Sequence, residues 1–235
     1  MRAVVEAIRV RHPGTAVSLP DDRDTASPMI LCAGEIVVAM SMPAPIPGDD
    51  GVVGMASATW PQARATFESH RAHLIVSVLG KTPHPLPQAR AMTAVIGGLI
   101  AAVPGCIGVV WAGRVANPAD RWLEMSRAAF ASYPDFPFML WIGIRPFRDQ
   151  STIGAVTYGL SSLIGREIEF EGQSTDLRSV INKVAGLAAY LIDRGSVIPD
   201  GNTFGGDDTE RITVHHTTSR RFANTPILLA MLPGA

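Results

Sequence analysis

Seven residues, Leu177, Val180, Ile181, Val184, Leu187, Ala188 and Leu191, recur at the three- and four-residue spacing of a helix stripe. Ser174 or Thr175 can cap the start of that helix, and Gly195 follows its end. A second stretch, Pro87 to Val103, is apolar nearly all round and predicts a helix packed in the interior. Residues 2–11 place Val4, Val5 and Ile8 on one side of a short helix, stopped by His12-Pro13-Gly14. Pro61 opens a helix that runs toward His70. Asn117-Pro118 supplies a cap and a first helical residue for another, with Trp122, Met125, Ala129 and Phe130 on one face and Tyr133-Pro134 at its end.

Strand patterns fill the intervals. Met29–Cys32 and Glu35–Met42 are joined by a tight Ala33-Gly34 connection. His73–Leu79 is apolar on both sides, as a central strand covered on each face would be. With the buried helix and a strand over Ile107–Ala112, it predicts a parallel β-α-β unit across Leu74–Trp111 with a right-handed crossover. Phe138–Phe147, Thr152–Tyr158 and Arg166–Phe170 form an antiparallel run. Val197-Ile198 and Thr203-Phe204 flank the hairpin turn Asp200-Gly201, and Arg211–Thr217 gives the last strand. Asp21–Pro28 and Met42–Asp50 are turn or loop. The fold class is α+β: a mixed, largely antiparallel sheet with one β-α-β unit and helices packed on it. With no linker, repeat or low-complexity tract, residues 1–235 are expected to form a single domain.

Composition adds a core and removes a field. Hydrophobic residues make up 47% and charged residues 17%, and the formal net charge is −1. That is too apolar for disorder, and too neutral to attract nucleic acid or an anionic membrane over distance. Two cysteines, Cys32 and Cys106, make no disulfide framework or metal knuckle. Glu6 and Arg9 interrupt the apolar run that a signal peptide needs. The uncharged interval between Arg90 and Arg114 is long enough for a membrane span, but Gly97-Gly98 and Pro104-Gly105 break it. A soluble, cytoplasmic chain is expected, with no cofactor.

His70 and His73 are spaced to share a helix face and are the candidate metal ligands. No third ligand is signalled nearby, so a structural pair of helix-end histidines weighs more. Glu167, Glu169 and Glu171 alternate with Ile168 and Phe170, which places three carboxylates on one strand face. A solvated face is the ordinary reading, and Glu167 is the carboxylate singled out for acid–base work. His215 and His216 are adjacent on a strand, point to opposite faces and do not form one site. Cys106 has no base beside it in the sequence. Ser161-Ser162 lacks the glycines of a nucleophile elbow, and Gly205-Gly206-Asp207-Asp208 is a turn rather than a phosphate loop. Trp60, Trp111, Trp122 and Trp141 line either a cleft or the core, with the core preferred for Trp111 and Trp141.

Thr157-Tyr158-Gly159-Leu160, Gly165-Arg166-Glu167-Ile168-Glu169, the long amphipathic helix and Asp200-Gly201-Asn202-Thr203 together resemble the bacterial domain-of-unknown-function 4261 family. The likeness is strongest over residues 140–216. It extends more loosely to Met42–Pro47, His70–Val76 and Gly108–Trp111. It implies a soluble bacterial protein with no established activity, so no catalytic residue carries over. His70, His73 and Glu167 coincide with positions of its pattern. Similar proteins begin with a strand, whereas this chain begins on a helix. Three functions stay open. The first is a non-catalytic protein that binds another protein or a second copy of itself. The second is a metal-dependent hydrolase using His70, His73 and a carboxylate such as Glu35 or Glu167. The third is a small-molecule binder lined by tryptophans.

Overall fold

The computed structural model describes residues 1–20, 28–48, 50–80, 84–149, 152–172, 176–205, 211–222 and 224–231. The chain divides into two compact units, Met1–Leu140 and Trp141–Ala235. The division falls inside an apolar stretch, with no Gly- or Ser-rich linker to mark it in the sequence.

The first unit opens with α1 (Arg2–Arg11), followed by β1 (Val17–Ser18), β2 (Met29–Cys32) and β3 (Glu35–Met42). Next come α2 (Asp50–Ala56), α3 (Ala63–Ser69), β4 (His73–Leu79) and α4 (Leu86–Ala102). The unit closes with β5 (Gly108–Trp111), β6 (Val115–Pro118) and α5 (Ala119–Met125). Strands β1 to β4 form an antiparallel sheet in sequence order. The β2–β3 turn is set by Ala33 at φ 52° and Gly34 at φ 86°, the left-handed pair that a two-residue hairpin requires. Val37 and Ala39 on β3 face a core shared with Val4, Val5 and Ile8 of α1 and Ala91, Ala94 and Val95 of α4. Glycines allow α1 and α4 to close on each other. A methyl group on Gly98 would overlap the Ile8 side chain and lie 3.2 Å from the Val4 carbonyl. The pair that interrupts the apolar run is therefore the point of helix contact. Among the described residues no helix is long and apolar enough to cross a membrane.

The parallel β-α-β unit predicted across Leu74–Trp111 does not form. Strand β4 is an edge of the first sheet, while β5 pairs antiparallel with β6 in a separate two-stranded sheet. The predicted central strand is thus an edge strand, and its second face is not covered. Leu79 and Ile75 of β4, opposite Ile36 and Met40 of β3, are 38–48% exposed. The apolar pattern that suggested two covered faces instead marks one covered face and one open one. Asn117 is not a helix cap either: it lies buried in β6 and its side-chain amide donates to the Leu140 carbonyl at 3.2 Å.

The second unit contains β7 (Gly143–Asp149), β8 (Thr152–Tyr158), the short α6 (Ser161–Ile164) and β9 (Glu167–Gly172). It continues with α7 (Leu177–Arg194), β10 (Thr203–Phe204), β11 (Ile212–Thr218) and β12 (Pro226–Met231). The sheet order is β10-β11-β12-β9-β8-β7. The antiparallel run β7-β8-β9 is as the sequence predicts. Two pairings are not. Strand β10 pairs with β11 rather than with Val197-Ile198, and an additional strand, β12, lies in the middle of the sheet. It pairs parallel with β9, the parallel pair of this sheet. Helix α7 buries Val180, Val184, Leu187, Ala188 and Leu191 as its stripe predicts. The side chain of Asp176 caps it by accepting from the Arg178 amide; Ser174 and Thr175 lie outside the described residues. So do residues 21–27 of the first predicted turn and Gly206-Asp207-Asp208.

Candidate functional site

A groove of about 710 Å³ opens in the first unit between the two sheets. Leu74 and Val76 of β4 form one wall, and Ile107 and Val109 the other; Ile96 and Ile100 of α4 line it as well. The separation of β4 from β5 creates this space, because a paired β-α-β unit would have filled it. Large apolar side chains on a folded surface are usually scattered. Here three of them, Leu74, Val103 and Ile107, are 39%, 37% and 46% exposed and line one groove. Trp60 and Trp111 line it too, whereas Trp122 and Trp141 are wholly buried in the core. Gly108 is required beneath Trp60, since a methyl group there would stand 2.6 Å from the indole.

His70, Arg71 and His73 line the same groove, at the junction of α3 and β4. His70 is the residue that ends α3, and its ring is committed at both nitrogens. Nε2 accepts the Ile46 amide at 2.6 Å, and Nδ1 donates to the Phe67 carbonyl. Nδ1 of His73 donates to the Ala44 carbonyl at 2.7 Å. The two imidazoles therefore fasten the Pro43–Pro47 segment to the end of α3 and the start of β4. That is the structural role the sequence weighed more heavily. Arg71 is exposed and is the charged member of the groove lining; no aspartate or glutamate lines it among the described residues. Cys106 is half-buried at the α4–β5 turn, and burial raises its thiol pKa, which keeps it in the unreactive protonated form. Glu35 is elsewhere, at the β2–β3 turn opposite Cys32.

Glu167 belongs to the second unit, as do Glu169 and Glu171. The solvated carboxylate face expected of β9 is not what forms. Glu167 and Glu169 are 4% and 2% exposed, and Ile168 and Phe170 are also buried. Both edges of β9 are paired, with β8 and β12, helix α7 packs on the strand, and the β8–α6 and β11–β12 connections close over its acidic side chains. Glu167 accepts the Leu160 amide at 3.2 Å, the Ser161 amide at 3.0 Å and the Thr157 hydroxyl at 2.7 Å. The Thr157 oxygen in turn accepts the Ile168 amide at 2.8 Å. Glu169 accepts from Arg221 at 2.9 Å and from the Ser219 hydroxyl at 2.9 Å, while Arg221 also reaches Glu171 at 3.3 Å. The Arg221 guanidinium lies over the Phe147 ring, 3.4 Å from its centroid. This cluster uses its acceptors internally, holding the β8–α6 connection and the β11–β12 connection to β9.

His215 and His216 are adjacent on β11. The His216 ring is held by the Ile198 carbonyl at 2.8 Å, and His215 lies 3.7 Å from the Asp200 carboxylate. Asp200 also accepts the His216 amide, a hydrogen bond that lowers its pKa. Among the described residues, no group of three His, Cys, Asp or Glu side chains is placed to hold a metal ion.

Comparison with known proteins adds one match. A family model described as Domain of unknown function (DUF4261) matches residues 156–228, within the second unit. It runs from β8 into β12 and overlaps the 140–216 stretch whose motifs carry the resemblance, so the resemblance is shown over residues 156–228. No curated protein and no solved structure matches the chain.

Proposed function

We propose that the chain is a non-catalytic binding protein whose first-unit groove holds an apolar segment of another protein. The exposure of Leu74, Val103 and Ile107 around one concavity supports this reading. Covering three partly exposed aliphatic side chains contributes on the order of 2–3 kcal/mol, enough to favour a partner that fits. The chemistry of the lining points the same way. A nucleophile needs a base and a depressed pKa; Cys106 has a raised one, and both nitrogens of His70 are engaged. The hydrogen-bonding capacity of His70, His73 and Glu167, which a hydrolase would need, is largely spent on the fold. Binding of a small apolar molecule is the second reading, favoured by a volume within the range of ligand pockets.

Panning a phage library of random octapeptides on the full chain tests the proposal. Apolar peptides should be enriched on the native protein and lost on a Leu74→Lys/Ile107→Lys variant, which places two charges in the groove at exposed positions. Enrichment of nothing, or equal enrichment on both proteins, would overturn it. Binding of an apolar dye such as anilinonaphthalene sulfonate in the groove without any peptide selection would favour the small-molecule reading.

A further inference from the structure

We infer that the bound segment enters as an extended strand between β4 and β5, joining the two sheets into one, with a carboxylate at one end held by Arg71. This inference rests on the binding reading above and specifies its occupant. Strand β4 uses one edge on β3, and β5 uses one edge on β6, so each keeps a second edge that pairs with no strand among the described residues. His73, Leu74 and Val76 of β4 and all four residues of β5 line the same groove. An unpaired edge presents a row of amide donors and carbonyl acceptors, which natural sheets cover or pair. Apolar small molecules have nothing to offer such rows. An extended polypeptide offers both groups on both of its sides, at the period of the strands themselves. Four residues of β5 match a segment of about 13 Å.

The lining also sets the segment's composition. Its side chains alternate between two faces. Those directed at α4 meet Met92, Ile96 and Ile100 and should be apolar and β-branched or aliphatic. Trp60 and Phe67 line the groove beside β5 and suit apolar or aromatic side chains there too. At the α3–β4 end the lining is cationic, with Arg71 exposed, without a partner among the described residues, and opposed by no lining carboxylate. A C-terminal carboxylate or an acidic side chain at that end complements it. Two unpaired edges, an apolar floor and one cation favour an uncharged, strand-forming segment with an acid at one end.

Backbone N-methylation of a selected octapeptide separates this from other modes of binding. Successive amides of a strand point to opposite sides, so a strand flanked on both sides uses every interior amide. Each single N-methylation should then weaken binding about ten-fold, the loss of one hydrogen bond with added crowding. Hydrogen exchange should slow in both β4 and β5. Replacing the terminal acid by an amide should weaken binding to the native chain and leave binding to Arg71→Gln unchanged. Sensitivity at alternate amides alone would show addition to a single edge and overturn the bridging. Tolerance of all N-methylations, with binding still abolished by Leu74→Lys/Ile107→Lys, would overturn strand insertion while the binding reading stands. Failure to select any peptide would overturn both.

Discussion

The Ile46 amide donates to Nε2 of His70 at 2.6 Å, across 24 residues of chain. With Nε2 accepting from Ile46, Nδ1 is the nitrogen that donates, to the Phe67 carbonyl. The Ile46 contact also gives a segment with prolines at 43, 45 and 47 one of its few amide anchors. His70→Ala should lower the stability of the first unit by about 1–2 kcal/mol through loss of two hydrogen bonds. Hydrogen exchange at Ile46 should rise while exchange in α7 is unchanged. If the Ile46 amide exchanged at the same rate in both proteins, the fastening role would be refuted.

His12 supplies a pH dependence. It is 5% exposed, packs edge-on against Phe130 at 5.3 Å, and its Nε2 has no hydrogen-bond partner among the described residues. Burial first, then the neighbouring charges of Arg11 and Arg127, lower its pKa from 6.5 to about 4. Above pH 6.5 the imidazole is neutral in both folded and unfolded chains and has no effect. As pH falls from 6.5 toward 4 the unfolded chain takes up a proton that the folded chain refuses. Stability therefore declines across that interval, by about 3 kcal/mol from this group, and levels off below it. Denaturant melts at pH 7 and pH 4.5 should show a smaller difference for His12→Leu than for the native chain.

Arg221 offsets a buried charge. Removing it leaves the Glu169 carboxylate, 2% exposed, with the Ser219 hydroxyl as its described partner. Arg221→Ala should cost about 3–5 kcal/mol in the second unit. The double variant Arg221→Met/Glu169→Leu should recover much of that loss, because the buried charge is gone and Glu171, the other carboxylate that Arg221 reaches, is 30% exposed and open to hydration. Chemical denaturation of the three proteins gives the comparison; a double variant as unstable as Arg221→Ala would refute the assignment.

Gly154 lies inside β8, where a methyl group would overlap both the Phe147 ring and the backbone carbonyl of Phe170. The ring can turn aside, but the carbonyl belongs to the paired strand β9 and cannot. Gly154→Ala should cost about 2–3 kcal/mol, at the upper end of overpacking penalties. Gly186→Ala on α7 meets nothing within 4 Å and should instead stabilise by about 0.5–1 kcal/mol through helix propensity. Thermal melts of the two variants should move in opposite directions.

Periodicity made α1, α4, α7 and the β2–β3 hairpin legible, because each needs only its own spacing and its own turn residues. It failed where a residue's partner is distant in the chain. Glu167 and Glu169 alternate like solvated carboxylates, and nothing local announces Thr157 or Arg221 as their partners. Strand β12 is a six-residue apolar run opened by a proline, too short to distinguish from a loop by pattern alone. The groove was invisible for a related reason. Apolar strands around an apolar helix fit a closed β-α-β unit and an open one equally well, and only the pairing of β5 with β6 decides between them. His70 and His73 are legible as a pair at a helix end, but their contacts with Ile46 and Ala44 cannot be read from an irregular segment.

The placement of β12 ties assembly of the second sheet to the order of translation. Glu167–Glu171 must wait for Ile227–Met231 to leave the ribosome before the central parallel pair can zip. Until then β9 and β11 are stranded on either side of a one-strand gap, and the β7-β8-β9 meander is the largest piece able to collapse. Nascent chains halted before Pro226 are thus the ones most exposed to chaperones and to pairing with the wrong neighbour.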